Sequence, residues 1–367
     1  MSCMCHLPLV LAGSQLGFLV WAVALPPVPD SFLKGPYLQN VTPTGVTVMW
    51  ETVQEECGRL EYGSGRQFDR AVSGVSARIH ELRIRGLMPN RWYRYRAWAD
   101  GKPAEGVFHT APTDARPFRF AVWGDNQEYP VRHARGCELM RRHCPDLAIS
   151  VGDVVTDGRN YDQWGKQFFE PARELLRTTP AYVAMGNHHR NAHWFYDFFS
   201  FPAPRHENYY AFTYGGARFV VIDSIQELSP AGPQYSWLVR EMKSPAFQRA
   251  TWRFTFFHTP PWSEGWPEWA GDEEVRRWIV PLHQQYGVTA SFSGHTHDYE
   301  RGFRDGTCYI VTGGGAGSLD PWARDYPHVT VYHSTWHFCL VDVGLKSLRL
   351  RAIDYSGRCI DDVTLGR

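Results

Sequence analysis

Short polar clusters, each directly after an apolar segment, contain the side chains best suited to chemistry in this chain. The clusters are Gly124-Asp125-Asn126-Gln127, Gly152-Asp153, Gly186-Asn187-His188-His189, His258 and Gly294-His295-Thr296-His297. Carboxylate, amide and imidazole groups in this mixture are the ligands that hard divalent and trivalent ions bind. Because a pair of ions needs one carboxylate between them, Asp153 is the candidate bridging ligand. The clusters therefore predict a two-metal site that cleaves phosphoesters.

The apolar segments before the clusters have the length and composition of buried strands. They cover residues 118–123, 147–151, 181–185, 252–257 and 288–293. In an open α/β sheet, sites form in the loops beyond the carboxyl ends of the strands. We therefore expect the ends of these strands to bring the polar clusters together.

From residue 118 onward, strand-like segments alternate with segments of helical periodicity. Helices are predicted over residues 131–142, 161–176, 235–242 and 272–285, a hairpin at 209–214 and 217–222, and further strands at 308–311 and 338–343. This alternation predicts an α/β region with a largely parallel sheet.

The preceding segment, residues 36–110, has a strand pattern throughout. Alternating stretches at 46–50, 59–62 and 92–98 are separated by turn signals, which predicts a β-sandwich. Trp50, which we expect to be buried, and the late Trp-Tyr-x-Tyr strand resemble a fibronectin type III module. Residues 114–117 form the predicted linker.

The composition limits the partners of the protein. The chain has 38 Lys and Arg residues against 38 Asp and Glu residues, so no charge excess indicates a nucleic-acid-binding surface or an anionic membrane as the main partner. A small phosphoester substrate must therefore be held by local groups. With 367 residues, of which 43% are hydrophobic, the chain suits two domains with substantial cores. The composition does not define the oligomeric state.

The N-terminal residues have features of a secretory signal. Residues 7–25 are apolar apart from an interruption at 13–15, and Ala22-Val23-Ala24 is a small-residue cleavage pattern. These features predict a leader over residues 1–28 and a secreted or periplasmic protein, although no Lys or Arg precedes Lys34. The alternative is an apolar segment that packs on the body of the protein. No other apolar segment reaches the roughly 18 residues of a membrane span, so none is predicted in the mature chain.

The cysteines beyond the leader permit disulfides but do not require them. They are Cys57, Cys137, Cys144, Cys308, Cys339 and Cys359. Cys137 and Cys144 are seven residues apart on a predicted helix, a rise of about 10 Å, which exceeds the roughly 7 Å limit for a disulfide. This pair is therefore predicted to be unbridged.

The clusters in this order, with Asp298-Tyr299-Glu300-Arg301 directly after His297, resemble the calcineurin-like metallophosphoesterases. Within that superfamily the chain is most similar to the purple acid phosphatases, which also have an N-terminal sandwich of fibronectin type III kind. The resemblance implies an α/β four-layer αββα core over residues 118–367, preceded by an all-β fibronectin type III-like sandwich over residues 29–113. It covers almost the whole chain after the leader.

The resemblance also implies the metal ligands and the reaction. One ion would be held by Asp125, Asp153 and His297, and the other by Asp153, Asn187, His258 and His295. The ions would be Fe, Zn, Mn or similar divalent or trivalent metals. Two ions about 3.5–4 Å apart polarise phosphoryl oxygens and supply hydroxide near neutral pH, and Asp153 would take part in the catalysis by bridging them. The implied activity is hydrolysis of phosphate monoesters, as in an acid phosphatase.

His188 matches the histidine of the Gly-Asn-His motif in this family. The resemblance implies that His188 protonates the leaving oxygen or forms a hydrogen bond with the phosphoryl group. An imidazole, with an ordinary pKa of about 6.5, suits both tasks. The alternative is a histidine whose hydrogen bonds are satisfied by a loop carbonyl.

Several positions depart from the family pattern. Thr156 stands where purple enzymes have the tyrosine that binds the ferric ion, which predicts no tyrosinate absorption. Gln127 replaces the second residue of an Asp-x-His pair, and it could bind a metal or face substrate or water. His189 replaces an acidic residue, and it could contact phosphate or be inert. The tryptophans of residues 259–269 could line a pocket, stack on an aromatic ester group or pack in a surface loop.

Two other functions stay open at this point. A phosphodiesterase or a nucleotide hydrolase would use the same metals and would differ only in how the pocket treats the second ester arm. A secreted binding or adhesion protein could keep the metallophosphatase fold as a silent scaffold. The presence of all the metal-ligand residues favours the enzyme.

Overall fold

The computed structural model describes residues 25–203 and 208–367. Of the predicted leader, residues 1–28, the first 24 residues lie outside the described residues, so export stays a prediction. Among the residues described, none of the helices has both the length and the apolar character that crossing a membrane requires.

The N-terminal region folds as an antiparallel five-stranded sheet. Its strands are β1 (Phe32–Thr42), β2 (Gly45–Gly63), β3 (Arg70–Arg85), β4 (Trp92–Ala99) and β5 (Lys102–His109). They pair in the order β1-β2-β4-β5, and β3 also pairs with β2. Trp50 is completely buried, as predicted. The expectation of an all-β N-terminal region is confirmed, and the likeness to fibronectin type III stays a prediction.

Strand β2 is longer than the sequence pattern predicts. The stretches predicted separately at 46–50 and 59–62 belong to one strand, which pairs with β3 on both sides of an irregular register between Glu51 and Glu56. Before this irregularity β2 pairs with β1, and after it with β4. The intervening residues are mostly exposed and, apart from Val53, polar, which interrupts the alternation of polar and apolar residues although the backbone stays extended.

The described part of residues 118–367 contains two sheets. One consists of β6 (Phe118–Trp123), β7 (Leu147–Ser150), β8 (Ala181–Val183), β16 (His337–Val343), β17 (Ser347–Asp354) and β18 (Cys359–Gly366). The other consists of β9 (Tyr210–Tyr214), β10 (Ala217–Val221), β11 (Trp252–Phe256), β12 (Ala290–Ser293), β13 (Tyr299–Arg304), β14 (Thr307–Thr312) and β15 (Val329–His333). Their strand orders are β18-β17-β16-β6-β7-β8 and β15-β13-β14-β12-β11-β10-β9.

Both sheets are mixed, which corrects the expectation of a largely parallel sheet. Strands β6, β7 and β8 are parallel, and so are β10, β11, β12 and β14. Strands β16, β17 and β18 extend the first sheet antiparallel, while β9, β13 and β15 do so in the second. The reason is the short connections between successive late strands, because a few residues can join only antiparallel neighbours. The α/β class itself is confirmed.

Helices pack on the outer faces of the sheets, and the inner faces pack on each other. The helices are Pro130–Arg142, Tyr161–Gln163 continued by π-helical Trp164–Phe169 and α-helical Glu170–Leu176, His193–Phe198, Pro233–Lys243, Pro245–Arg249, and π-helical Val275–Ile279 continued by Val280–Tyr286. The ring of Phe120 on β6 lies 5.3 Å from that of Phe219 on β10 and 5.2 Å from that of Phe254 on β11. Val220, on the opposite face of β10, packs with Leu238 of a helix. The layers are therefore helix, sheet, sheet and helix.

Two buried tyrosines join the N-terminal sheet to the helices of the second region. The hydroxyl of Tyr37 donates to the carbonyl of Phe198, 2.8 Å away, and that of Tyr95 donates to the carbonyl of Arg177 at 3.0 Å. Both carbonyls lie at helix C-termini, where backbone acceptors lack partners within the helix. The hydrogen bonds therefore fix how these helices lie against the sheet.

The cysteines of the described residues are all free. Cys137 and Cys144 are therefore unbridged, as their spacing predicts. Cys137, Cys308 and Cys339 are buried, whereas Cys57, Cys144 and Cys359 are exposed.

Candidate metal centre

Strand ends bring the predicted ligand residues into one site between the two sheets. Asp125, Asp153 and Asn187 follow the adjacent parallel strands β6, β7 and β8, while His258 and the pair His295 and His297 follow β11 and β12. All of these residues lie at the carboxyl ends of their strands, where loops from neighbouring parallel strands meet. The two sheets therefore bring the six side chains together at one site.

A compact group of donor atoms lies at the centre of the site. Nε2 of His258 lies 3.0 Å from Oδ2 of Asp153 and 2.9 Å from Oδ1 of Asn187. Nδ1 of His295 lies 3.0 Å from the same Asn187 oxygen and 3.2 Å from Nε2 of His258. One ligand atom from each of Asp153, His258 and His295 lies within 4.8 Å of the other two. These residues can therefore hold one metal ion.

Asp125 and His297 form the other half of the site. Oδ1 of Asp125 lies 3.7 Å from Nε2 of His297 and 4.0 Å from Nε2 of His258. This oxygen is buried and has no hydrogen-bond partner among the described residues. A buried, unpaired carboxylate oxygen costs free energy unless a cation lies beside it. Asp125 therefore fits a second ion next to His297.

Backbone N–H groups hold the outer oxygen of each carboxylate. The N–H of His295 donates to Oδ2 of Asp125 at 3.0 Å, and the N–H of His188 donates to Oδ1 of Asp153 at 2.8 Å. Each carboxylate consequently directs its other oxygen to the centre of the site.

Backbone carbonyls orient two of the imidazole rings in the same way. Nδ1 of His258 lies 3.0 Å from the carbonyl oxygen of Val151, and Nδ1 of His297 lies 2.6 Å from that of Ser318. Because a carbonyl oxygen only accepts hydrogen bonds, Nδ1 carries a proton in each ring, and Nε2 is the nitrogen that faces the centre and can bind a metal. This tautomer is the one that a metal ligand needs.

The donor atoms of the site lie close together. Oxygens of Asp153 and Asn187 and ring nitrogens of His258 and His295 all meet within about 3 Å of a neighbour. A metal ion among them would take the place of the shared protons and bind these donor atoms directly. Carboxylate, amide oxygen and imidazole together suit Fe, Zn, Mn or similar ions. The donor set therefore fits two metal ions, and the bridging role of Asp153 stays a prediction.

The charges of the site shift the pKa values of its groups. Although burial opposes a charged imidazole, the carboxylates of Asp153 and Asp125 raise the pKa of His258 to about 9. Burial raises the pKa of Asp125 to about 7, against the opposing effect of His258. Burial also lowers the pKa of His295 to about 3. Without a metal ion, the charge of His258 therefore balances that of the carboxylates, and His295 stays neutral for coordination.

Glycines in the motifs allow the loops to approach the carboxylates. A Cβ atom at Gly186 would lie 2.2 Å from Oδ1 of Asp153, and one at Gly294 would lie 2.2 Å from Oδ2 of Asp125. Contacts this short do not occur between real atoms, so neither position accepts a side chain. Gly186 and Gly294 are therefore steric requirements of the site.

Three ligand residues have left-handed backbone conformations. The φ angles are 58° at Asp125, 47° at Asp153 and 70° at His295. For residues other than glycine this conformation costs roughly 1–3 kcal/mol and persists only where surrounding contacts impose it. Here it turns each side chain from the end of its strand into the site.

His188 lies on the wall of the site. Its Nδ1 lies 2.7 Å from the carbonyl oxygen of Thr156, so Nδ1 carries a proton and donates it to this hydrogen bond. From the sequence, a loop carbonyl could satisfy the hydrogen bonds of His188. This carbonyl is present, but it accepts a hydrogen bond from only one of the two ring nitrogens. Nε2 stays available to the cleft, which His188 also lines.

The two further candidates from the sequence have different positions. The side chain of Gln127 is buried with Nε2 3.3 Å from Nε2 of His297, so it lies beside a ligand atom. His189 is completely buried, its ring nitrogens lie 3.0 and 3.2 Å from the backbone N atoms of Gly186 and Val154, and its ring stacks on Trp164. This placement favours the interpretation that His189 supports the loop and does not contact phosphate.

The centre opens into a cleft of about 350 Å³. The cleft is lined by Asp153, Asn187, His188, Trp266, His295, His297, Ser318 and Asp320. Trp266 belongs to the tryptophan segment at residues 259–269, which from the sequence could either line a pocket or pack in a surface loop. In the structure Trp266 lines the cleft. Ser318 and Asp320 were not predicted. The sequence feature that could have indicated them is the glycine-rich segment directly before them. In that segment the N–H groups of Ala316 and Gly317 donate to the Asp125 carbonyl at 3.1 and 3.0 Å.

The chain is similar to proteins of known families. A family model described as calcineurin-like phosphoesterase matches residues 118–299. Purple acid phosphatase 15 of Arabidopsis thaliana is 27% identical over 308 residues, which cover 70% of this chain and 57% of that protein. Purple acid phosphatase 21 of the same plant is 27% identical over 66% of this chain and 60% of that protein. The chain thus spans about three fifths of the length of these curated relatives.

A solved structure shares the fold over most of the chain. It is a purple acid phosphatase isolated from yellow lupin (Lupinus luteus) seeds, with a TM-score of 0.80 and 19% sequence identity. The match covers 91% of this chain and 75% of the lupin chain. The similarity therefore includes the N-terminal sheet as well as the α/β region.

Proposed function

We propose that the protein hydrolyses phosphate monoesters with the help of two metal ions, because residues 118–299 match the family model described as calcineurin-like phosphoesterase. The observation that carries the proposal is the convergence of donor atoms from Asp153, His258 and His295 beside the unpartnered carboxylate oxygen of Asp125. The names of the relatives, which are acid phosphatases, support a monoester substrate.

The ligand residues divide into two sets that share Asp153. One ion would be held by Asp125, Asp153 and His297, and the other by Asp153, Asn187, His258 and His295. Two ions, when bound, would supply a hydroxide nucleophile near neutral pH and neutralise charge on the phosphoryl oxygens. The backbone hydrogen bonds to the carboxylates and rings fix these ligands before any ion binds.

His188 has the geometry of a proton donor to the leaving group. The Thr156 carbonyl orients the ring through Nδ1, which leaves Nε2 facing the cleft. A protonated Nε2 can give its proton to the leaving oxygen, and a neutral one that forms a hydrogen bond can still orient the phosphoryl group. The ring also lies next to Asp153, whose Oδ1 accepts from the His188 backbone.

The direct test measures metal content and hydrolysis on one preparation. Elemental mass spectrometry would count the ions per chain, and hydrolysis of 4-nitrophenyl phosphate would be assayed before chelation, after chelation and after metal restoration. We expect about two ions per chain and activity that chelation removes and metal restores. The Asp153→Asn variant is the site control in the same assay.

The same assay separates the competing functions. Turnover of bis(4-nitrophenyl) phosphate equal to or above that of the monoester would instead indicate a phosphodiesterase. Two bound ions without hydrolysis of any ester would indicate a binding protein with a silent site. Absence of metal and of activity after restoration would contradict the proposal altogether.

Export of the protein is part of the proposal. It rests on the apolar residues 7–25 and the small-residue pattern at Ala22-Val23-Ala24. Expression of the full chain followed by N-terminal sequencing of the cell-external fraction tests it. A mature N-terminus shortly after Ala24 would support export, whereas retention of Met1 in a cell-internal protein would contradict it.

A further inference from the structure

The loop that carries Trp266 is fixed by two arginines. Arg324 donates to the carbonyls of Trp269 and Pro267, both at 2.6 Å. Arg276 donates to the carbonyls of Pro261 and Ala270 at 2.6 and 3.2 Å. Charged hydrogen bonds of this kind are stronger than neutral ones. The segment 261–271, called here the tryptophan loop, is therefore a rigid wall.

The rigid loop presents its indole rings to the metal centre. The ring centroid of Trp266 lies 5.3 Å from that of His295, and the centroid of Trp269 lies 4.7 Å from it. Trp266 has a φ of 56°, a strained conformation that the surrounding contacts impose, and its side chain lines the cleft. An apolar, flat surface thus stands beside the place where a phosphoryl group would bind.

Negative charge also lines the cleft, next to the tryptophan loop, since a Cβ atom at Gly265 would lie 3.5 Å from the Cβ of Asp320. Asp320 lines the cleft, and its Oδ2 accepts from the backbone N–H of His297 at 2.8 Å. Among the ion pairs of the described residues, none involves Asp320. Glu128 lies at the rim, where its Oε2 accepts from the N–H and hydroxyl of Ser318 at 3.2 and 3.0 Å. None of the described residues that line the cleft is Lys or Arg.

From these two features we infer that the cleft selects phosphomonoesters whose leaving group is flat and carries no negative charge. The inference rests on the proposed function and assigns Trp266 and Asp320 as specificity-determining residues. Trp266 would stack on the ring of the leaving group, because offset aromatic stacking is favourable beyond the burial of apolar area. Asp320 would repel a second phosphate or a carboxylate and tolerate a neutral or cationic group.

A substrate with several phosphates would lack partners in this cleft. The metal centre would neutralise one phosphoryl group, but a second one would face the carboxylate of Asp320 without an arginine or lysine to pair with it. Phosphate recognition normally relies on such cationic side chains. Polyphosphates and other anion-rich esters are therefore the disfavoured class.

The first test compares variants on three substrates: phenyl phosphate, glycerol 2-phosphate and inorganic pyrophosphate. In Trp266→Leu we expect kcat/KM for phenyl phosphate to fall about three- to tenfold relative to that for glycerol 2-phosphate. In Asp320→Asn, which keeps an acceptor for the His297 N–H, we expect kcat/KM for pyrophosphate to rise about fivefold relative to that for phenyl phosphate. Trp278→Leu, on a helix away from the cleft lining, is the matched control and should leave all ratios unchanged.

The second test uses binding and so does not depend on turnover. Calorimetry with phenylphosphonate and methylphosphonate should show that Trp266→Leu weakens the first about three- to tenfold and leaves the second unchanged. Unchanged ratios in both variants, with an active wild type, would overturn this inference and leave the proposed function intact. Failure of the wild type to hydrolyse any of the esters would overturn the proposed function, and the phosphonate data would then decide the role of Trp266 alone.

Discussion

The side-chain hydroxyl of Thr156 donates to Oε1 of Gln167 at 3.2 Å, and the backbone N–H of Thr156 donates to the same oxygen at 2.8 Å. The carbonyl of Thr156 accepts from Nδ1 of His188 at 2.7 Å. Residue 156 therefore contributes its backbone to the metal centre, while its side chain is held by the neighbouring helix.

This arrangement predicts a small effect for Thr156→Ala. The carbonyl that orients His188 is part of the backbone and survives the substitution, so kcat/KM for a phosphomonoester should stay within about twofold of wild type. His188→Ala is the comparison, and its rate should fall about a hundredfold or more because a proton donor is lost. Steady-state kinetics on both variants measures this. Equal losses in the two would contradict the backbone role of residue 156.

The same position predicts the colour of the protein. Because Thr156 has no phenol, iron-loaded protein should show no tyrosinate charge-transfer band in the visible range. The measurement is an absorption spectrum of a metal-replete sample whose iron content is known from elemental analysis. A purple wild-type protein would mean that a tyrosine from elsewhere reaches the iron.

Asp153→Asn should be the most damaging ligand substitution. In the proposed site Asp153 is the carboxylate that both ions share, so its neutralisation should weaken both sites at once. We expect turnover to fall about a hundredfold or more and the metal content to drop below two ions per chain. Asp305→Asn, on an exposed turn with a φ of 49°, is the matched control because asparagine tolerates this conformation. Wild-type turnover by Asp153→Asn at equal metal content would refute the bridging role.

Lys34 and Glu51 form a buried ion pair whose disruption should destabilise the fold. Their side chains are 3% and 4% exposed, the ammonium lies 3.8 Å from the ring centroid of Tyr161, and the Tyr161 hydroxyl donates to Glu51 at 2.6 Å. Lys34→Met leaves a buried carboxylate without its main partner, which should cost about 3 kcal/mol of unfolding free energy. Chemical denaturation measures it, with exposed Lys346→Met as control.

A double variant tests whether the loss comes from the unpaired charge. Lys34→Met combined with Glu51→Gln removes both charges, so part of the lost stability should return. If the double variant were less stable than Lys34→Met alone, the buried charge would not be the cause.

Buried His283 predicts a fall in stability below about pH 6.5. Its ring lies 3.3 Å from the hydroxyls of Thr255 and Tyr309, and burial lowers its pKa to about 3. The unfolded chain therefore binds a proton between about pH 3 and 6.5 that the folded chain does not, so stability rises with pH across this window and is complete above it. Each pH unit below 6.5 should cost about 1.4 kcal/mol for this residue.

Denaturant unfolding at pH 5 and pH 7 measures the contribution of His283. Because His283→Gln cannot titrate, it should reduce the difference in unfolding free energy between the two pH values by about 2 kcal/mol. A pH dependence identical to that of wild type would contradict the assignment.

Much of the fold was predictable from local patterns. The strands before the polar clusters appear within two residues of their predicted bounds, because apolar runs of this length and composition are buried in almost any arrangement of a sheet. Strand β3 lies within the segment 36–110 that has a strand pattern throughout, but its bounds were not predicted, since most side chains of its first half face solvent. Its antiparallel pairing with the neighbouring strand β2 sets its conformation.

The candidate ligand residues are recognisable in the sequence because they lie in short polar motifs, in four of which the first ligand directly follows a glycine. Gly186 precedes Asn187 and Gly294 precedes His295, and the steric reason for each glycine lies within the site it helps to form. The tertiary structure alone decided the walls of the cleft. Asp320 meets His297, and Trp266 meets His295, only because Arg324 and the glycine-rich segment hold separate loops in place. Such contacts join residues that are far apart in the chain, so they cannot be predicted from the spacing of residues within a motif.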